Sequence, residues 1–176
     1  MAASLLLWPR RERDVFDESM ATTLDATARY AGVVHQVVAG RVPEPTVSLL
    51  DARRSLGRAL VATEAALDRL VQDGATDAIT EPRMAAVATL HRIAGALNVV
   101  ARTRAQAPPA ADLGGRTARI EHRLRVLGGA GDADPPPATR GTPADEHELA
   151  SFALDRLELY VVSLRAALAR RAEPRD

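Results

Sequence analysis

The sequence reads as all-α: an antiparallel bundle of four long helices plus one shorter helix, with a Pro/Gly-rich linker before the last helix. Three observations lead to that fold class. Apolar residues recur at alternating gaps of three and four through each long segment, which puts them on one face of a helix. No window alternates apolar and polar residues for long enough to make a strand. Hydrophobic residues make up 47 % of the 176 but aromatics only 3 %, so the core must be built from Ala, Leu and Val, which suit closely spaced helices. At this length one domain is expected.

The opening stretch from Leu5 to Arg13, LLLWPRRER, passes from leucines through Trp8 and Pro9 into a run of charge. Pro9 is placed to end one helix and open another, because proline lacks the backbone donor that a first turn leaves unused. A membrane span needs roughly 20 apolar residues, many more than stand here. Residues 1–11 are therefore either a membrane-proximal junction or an N-terminal arm packed on the bundle. In the first case Trp8 sits at headgroup depth, and Arg10, Arg11 and Arg13 face anionic lipid.

The bundle is expected over 12–129. Its first helix, about 12–39, carries Phe16, Met20, Thr23 or Leu24, Thr27, Ala31, Val34 and Val38 on one face, and Gly40 ends it. Pro43 and Pro45 keep the next loop extended. The second helix runs to about Asp73 with Leu49, Leu56, Leu60, Leu67 and Leu70 as its stripe, and Gly74 is placed to cap it. Thr80, ahead of Glu81 and Pro82, reads as the N-cap of the third helix. That helix carries Met84, Val87, Leu90, Ala94, Leu97 and Ala101. A shorter fourth segment, about 111–127, shows Leu113, Thr117, Ile120, Leu124 and Leu127, and Gly128 with Gly129 closes it.

Residues 130–143 hold Gly131 and Gly141, with Pro135, Pro136, Pro137 and Pro143, and almost nothing to bury. They read as a flexible linker. The last helix, within 144–172, is expected to pack on the bundle, with Asp145 and Glu146 favourably placed at its positive end. Its stripe is Ala150, Leu154, Leu157, Val161, Leu164 and Leu168. Leu149, Phe152, Leu159, Tyr160 and Val162 widen it past one face, so this helix is either central to the bundle or turned toward a partner.

Composition removes several function classes. Formal net charge is zero, which gives no overall basic surface for nucleic acid. There is no cysteine, hence no disulfide framework, thiolate metal site or cysteine nucleophile. His35, His91, His122 and His147 are dispersed, and no Glu-x-x-His pair, the chelating spacing of metal-binding bundles, occurs. No metal, cofactor or catalytic residue is expected. Two carboxylate pairs at same-face spacing, Glu64 with Asp68 and Asp155 with Glu158, read as surface neutralised by Arg69 and Arg156 rather than as acid–base machinery. Arg54 and Arg58, four apart and so neighbours on a helix, form a candidate anion-binding pair with forked donors for a carboxylate. The plainer reading makes them a solvated face balanced by Asp51 and Glu64.

Leu6-Leu7-Trp8-Pro9-Arg10-Arg11-Glu12, then Ala52 to Leu60 (ARRSLGRAL) leading to Thr63 to Leu67 (TEAAL), then Leu90 to Leu97 (LHRIAGAL), resemble the cytoplasmic helical portion of the fusaric acid resistance-like (FUSC) family of aromatic acid exporters. The resemblance covers roughly the first three helices. It implies a non-catalytic domain at the cytoplasmic face of a bacterial inner membrane, serving assembly or regulation of an exporter of small organic acids. Its partners would be the exporter's membrane portion or the membrane surface, with a homo-oligomer expected and no nucleic acid. The membrane block of that family is not in this sequence. The competing expectation is a free-standing helical adaptor in the cytoplasm.

Overall fold

A computed structural model describes the backbone over residues 4–41, 47–104, 111–129 and 148–172, and the side chains over 12–41, 47–103, 113–129 and 149–169. Five helices follow in chain order: α1 (Ser4–Val38), α2 (Val47–Gln72), α3 (Asp77–Arg104), α4 (Ala111–Leu127) and α5 (Glu148–Ala172). Among the described residues there is no strand. The helices form an all-α bundle around one apolar core.

α1 departs from expectation at its start. It runs without a break from Ser4 across Pro9, where the sequence suggested one helix ending and another beginning. Proline deprives the turn of one hydrogen bond, and the break is not made here. At the other end the expected glycine terminus is present. Gly40 has φ 69°, its N–H donates to the Val37 carbonyl, and the Arg41 N–H donates to the Gln36 carbonyl. These two bonds make a Schellman cap, whose left-handed residue favours glycine. Gly74 repeats the arrangement at the end of α2, with φ 79° and bonds to Val71 and, from Ala75, to Leu70.

The expected stripe of α1 is buried from Phe16 to Val38, and a second face carrying Ala26, Ala28, Tyr30 and Val37 is buried with it. From Tyr30 to Val38 no side chain is exposed. α1 is therefore the central helix, packed against α2, α3 and α4. α2 also packs on α3, while α5 packs chiefly on α3 and α4. Register follows from side-chain pairs. Glu12 meets Arg69 and Thr23 meets Thr63, so rising numbers on α1 meet falling numbers on α2. Phe16 meets Arg83 and Tyr30 meets Asn98, so α1 and α3 rise together.

α3 opens at Asp77, and the carbonyl of Thr76 accepts from Ile79 and Thr80. Thr80 is thus not the N-cap expected of it; its hydroxyl bonds back to Thr76 from inside the first turns. Met84, expected in the core, is exposed, and Arg83 is buried in its place. The guanidinium of Arg83 lies over the Phe16 ring at 5.5 Å, donates to the Ile79 carbonyl and sits 3.6 Å from Asp17. A long aliphatic stem whose head finds a ring, a carbonyl and a carboxylate can occupy a core position that residue type alone assigns to methionine. α3 is also the one described helix long and apolar enough to cross a membrane. In this fold Leu90, Ile93, Leu97 and Val100 are buried in the shared core.

Three threonines with no exposure lie where α1 packs on α2, and two of them, Thr23 and Thr63, bridge the helices. Thr63 donates to the Ser19 carbonyl at 3.0 Å, so the 2.8 Å contact between the hydroxyls is a bond donated by Thr23. Thr27 donates to the Thr23 carbonyl. Each buried hydroxyl is thereby satisfied, which makes it tolerable in an apolar core. Thr63→Val keeps the shape but strands the Thr23 hydroxyl, and is expected to lower unfolding free energy by about 1–3 kcal/mol. Adding Thr23→Val should recover part of that loss in chemical denaturation, because both partners are then apolar.

Candidate functional site

The side chains of Trp8, Arg10 and Arg11 lie outside the described residues; their backbone is part of α1. Arg13 is half-buried one turn ahead of the core residue Phe16. Arg54 and Arg58 both stand exposed on α2, and Arg54 is 3.4 Å from Asp51 within the same helix. They share a face as the spacing requires, but neither lines either of the two grooves found among the described residues. The linker 130–143, Asp145, Glu146 and His147 also lie outside the described residues.

The larger groove, about 530 Å³, opens between α1, α2 and α4 and is lined by Arg29, Gln36, Asp51, Ser55, Glu121 and Arg125, with alanines and Val33 between them. Its cations already hold carboxylates, Arg29 with Asp25 at 2.8 Å and Arg125 with Glu121. Gly32 makes this arrangement possible. A Cβ there would stand 2.9 Å from a Glu121 carboxylate oxygen, too close for any larger residue without displacing that side chain. The groove is thus a balanced polar surface and not a site that demands an anion.

A second groove, about 470 Å³, lies between α2 and α3 over Leu67, Met84 and Val87, with Glu64, Asp68 and His91 at its rim. Glu64 and His91 are hydrogen-bonded at 2.7 Å, both about half exposed. Glu64 is therefore partnered by His91, and Arg69, expected to neutralise this pair, instead faces Glu12. Among the described residues no group of three or more His, Cys, Asp or Glu side chains is placed to hold a metal.

The other carboxylate pair is also held by an unexpected residue. Arg116 of α4 reaches both Asp155 and Glu158 of α5, the latter at 3.2 Å, with its own side chain largely buried. Burial opposes its charge, and the hydrogen bonds and fields of the two carboxylates outweigh that, raising its pKa above the ordinary value. Arg156, which the sequence suggested for this role, stacks over Phe152 at 5.5 Å. Nothing in the spacing of α4 distinguished Arg116; only the packing of α4 on α5 selects it.

This clamp pins one face of α5 and leaves the other uncovered. Ala150, Leu154, Leu157, Val161 and Leu164 are buried inward, while Leu149, Phe152, Leu159 and Val162 are each more than half exposed. Such a row of large apolar side chains along one helix is the usual mark of a docking surface. With the geometry in view, comparison with known proteins adds no relative: no family model, no curated protein and no solved structure matches the chain.

His35 supplies a pH response. Its Nδ1 lies 3.1 Å from the Thr117 hydroxyl, at the packing of α1 on α4. Burial lowers its pKa below the ordinary 6.5, aided by Arg41 and opposed by Glu121 and a bond to the Gly114 carbonyl. The fold prefers the neutral ring, so the unfolded chain binds more protons in this range. The resulting stability is complete above pH 6.5 and is lost as pH falls through the lowered folded value. His35→Gln should flatten the fall in denaturation midpoint on acidification below pH 6.5; an unchanged slope would place the effect elsewhere.

Proposed function

We propose that this chain is a non-catalytic helical interaction domain, an antiparallel arrangement of four long helices and one shorter helix whose docking element is the outer face of α5. The observation that carries this is the exposed apolar row on a helix already anchored by Arg116 and by its inner stripe. The context we propose is the cytoplasmic side of a FUSC-like exporter of small organic acids, where the domain serves assembly or regulation. What supports that context is the sequence resemblance together with the continuity of α1 through Trp8, Pro9, Arg10 and Arg11. A second reading, a free-standing adaptor, draws on the shared apolar core of the described helices, which closes without any membrane block.

A photo-crosslinking residue placed at Leu159 in cells should give an adduct, and one placed at Val61, an exposed position on α2, should not. Absence of any adduct at 159 would remove the docking reading. Fractionation separates the two contexts, since recovery with the inner membrane supports the exporter and recovery in the soluble fraction supports the adaptor.

Arg54 and Arg58 are proposed as the pair that attracts the organic anion, their exposure leaving both guanidinium groups open to solvent. Titration with benzoate should show weak, salt-sensitive binding that is lost in Arg54→Ala plus Arg58→Ala. No binding at millimolar ligand, or equal binding in the double variant, would remove that role.

A further inference from the structure

The outward face of α5 has the spacing of a helix-pairing seam. Phe152, Asp155, Leu159, Val162, Ala166 and Ala169 are all exposed, separated by gaps of three, four, three, four and three residues. That is the a/d pattern of a coiled coil. α5 thus carries two seams, an inner one used by the bundle and an outer one that nothing in the chain's described residues covers.

We propose that the outer seam is filled by α5 of a second copy, laid antiparallel about a two-fold axis between Leu159 and Val162. This rests on the reading of α5 as a docking surface and names its occupant. Charge selects the orientation. Glu158 and Arg165 flank the seam on the same edge, seven residues apart, and the antiparallel pairing brings Glu158 of each copy beside Arg165 of the other. Asp155 and Glu158 share the single Arg116 within the chain, so this cluster keeps one net negative charge to meet the incoming arginine. A parallel pairing would set Asp155 against Asp155 and would carry Glu158 and Arg165 of the two copies to opposite sides of the seam.

Size agrees with charge. About the same axis Leu159 meets Val162 twice, and Phe152, the largest residue of the seam, meets Ala169, one of the smallest. Asp155 falls opposite Ala166 and within reach of the second copy's Arg165; a polar residue in a seam sets register at a cost in stability. The 25 residues of α5 make a strip about 37 Å long and roughly 10 Å wide. Covering it on both copies removes on the order of 1,000 Å² in total, near the lower limit for a specific interface. The dimer is therefore a micromolar one, sensitive to concentration and salt.

Sedimentation equilibrium of the purified full chain from micromolar to millimolar concentration should show a monomer–dimer transition. Leu159→Asp should abolish it. Arg165→Glu alone and Glu158→Arg alone should each weaken self-association by about tenfold or more, and their equimolar mixture should restore the dimer, because every glutamate then faces an arginine. Circular dichroism should be unchanged in Leu159→Asp and Arg165→Glu, whose positions are exposed. Should Glu158→Arg not fold beside Arg116, loss of the dimer in Arg165→Glu and its partial return at high salt would serve in place of the mixture. A monomer throughout the range, a dimer that survives Leu159→Asp, or a loss in Arg165→Glu reversed neither by the complementary variant nor by salt would each overturn the pairing. A monomeric purified chain with a crosslink from position 159 to another protein would overturn self-pairing while leaving the docking reading in place; no crosslink at all would overturn both.

Discussion

Burial of α1 against three neighbours is the constraint on which the rest of the structure depends. A helix can be enclosed this far only if its side chains are small or apolar and its few polar groups are satisfied locally. Ala26, Ala28, Ala31 and Gly32 provide the close approach, the last of these admitting Glu121 of α4 against the helix backbone. Thr23, Thr27 and Tyr30 bring hydroxyls into that enclosure, and each has a partner: another threonine, a backbone carbonyl or Asn98. The polar contacts also set register, because a threonine pair or a tyrosine–amide bond forms at one axial offset and not at the next turn.

With α1 in the centre, α5 takes a peripheral place against α3 and α4. Its inner stripe is enough to hold it there, and Arg116 ties down one edge. Its remaining apolar residues are therefore left facing outward. The composition that left α5 either central or turned toward a partner becomes, in a peripheral position, an exposed seam. Arg156 lying over Phe152 covers part of that ring without closing the surface. The distinction matters for function, since hydrophobic burial that the bundle does not use remains available to an intermolecular contact.

Several charged side chains are balanced by a neighbour. Arg29, Arg125, Arg116 and His91 each face a carboxylate, and the two grooves are open and lined by such pairs. Among the described residues two groups are clearly shifted, His35 at the contact between α1 and α4 and Arg116 at the contact between α4 and α5, so both belong to helix packing.

Local pattern by itself determined the five helices, the inward stripes of α1, α2, α4 and α5, and the glycine-closed ends at Gly40, Gly74 and Gly129. These are short-range properties: 3.6-residue periodicity and the backbone freedom of glycine act within a few turns. Tertiary packing alone decided which helix is enclosed, that Arg83 rather than Met84 turns inward, and that Arg116 rather than Arg156 neutralises Asp155 and Glu158. Each of those outcomes depends on what a neighbouring helix presents across the gap. The ring of Phe16 gives Arg83 a place to lie, and the approach of α4 brings Arg116 to α5, neither of which any spacing within α3 or α5 encodes.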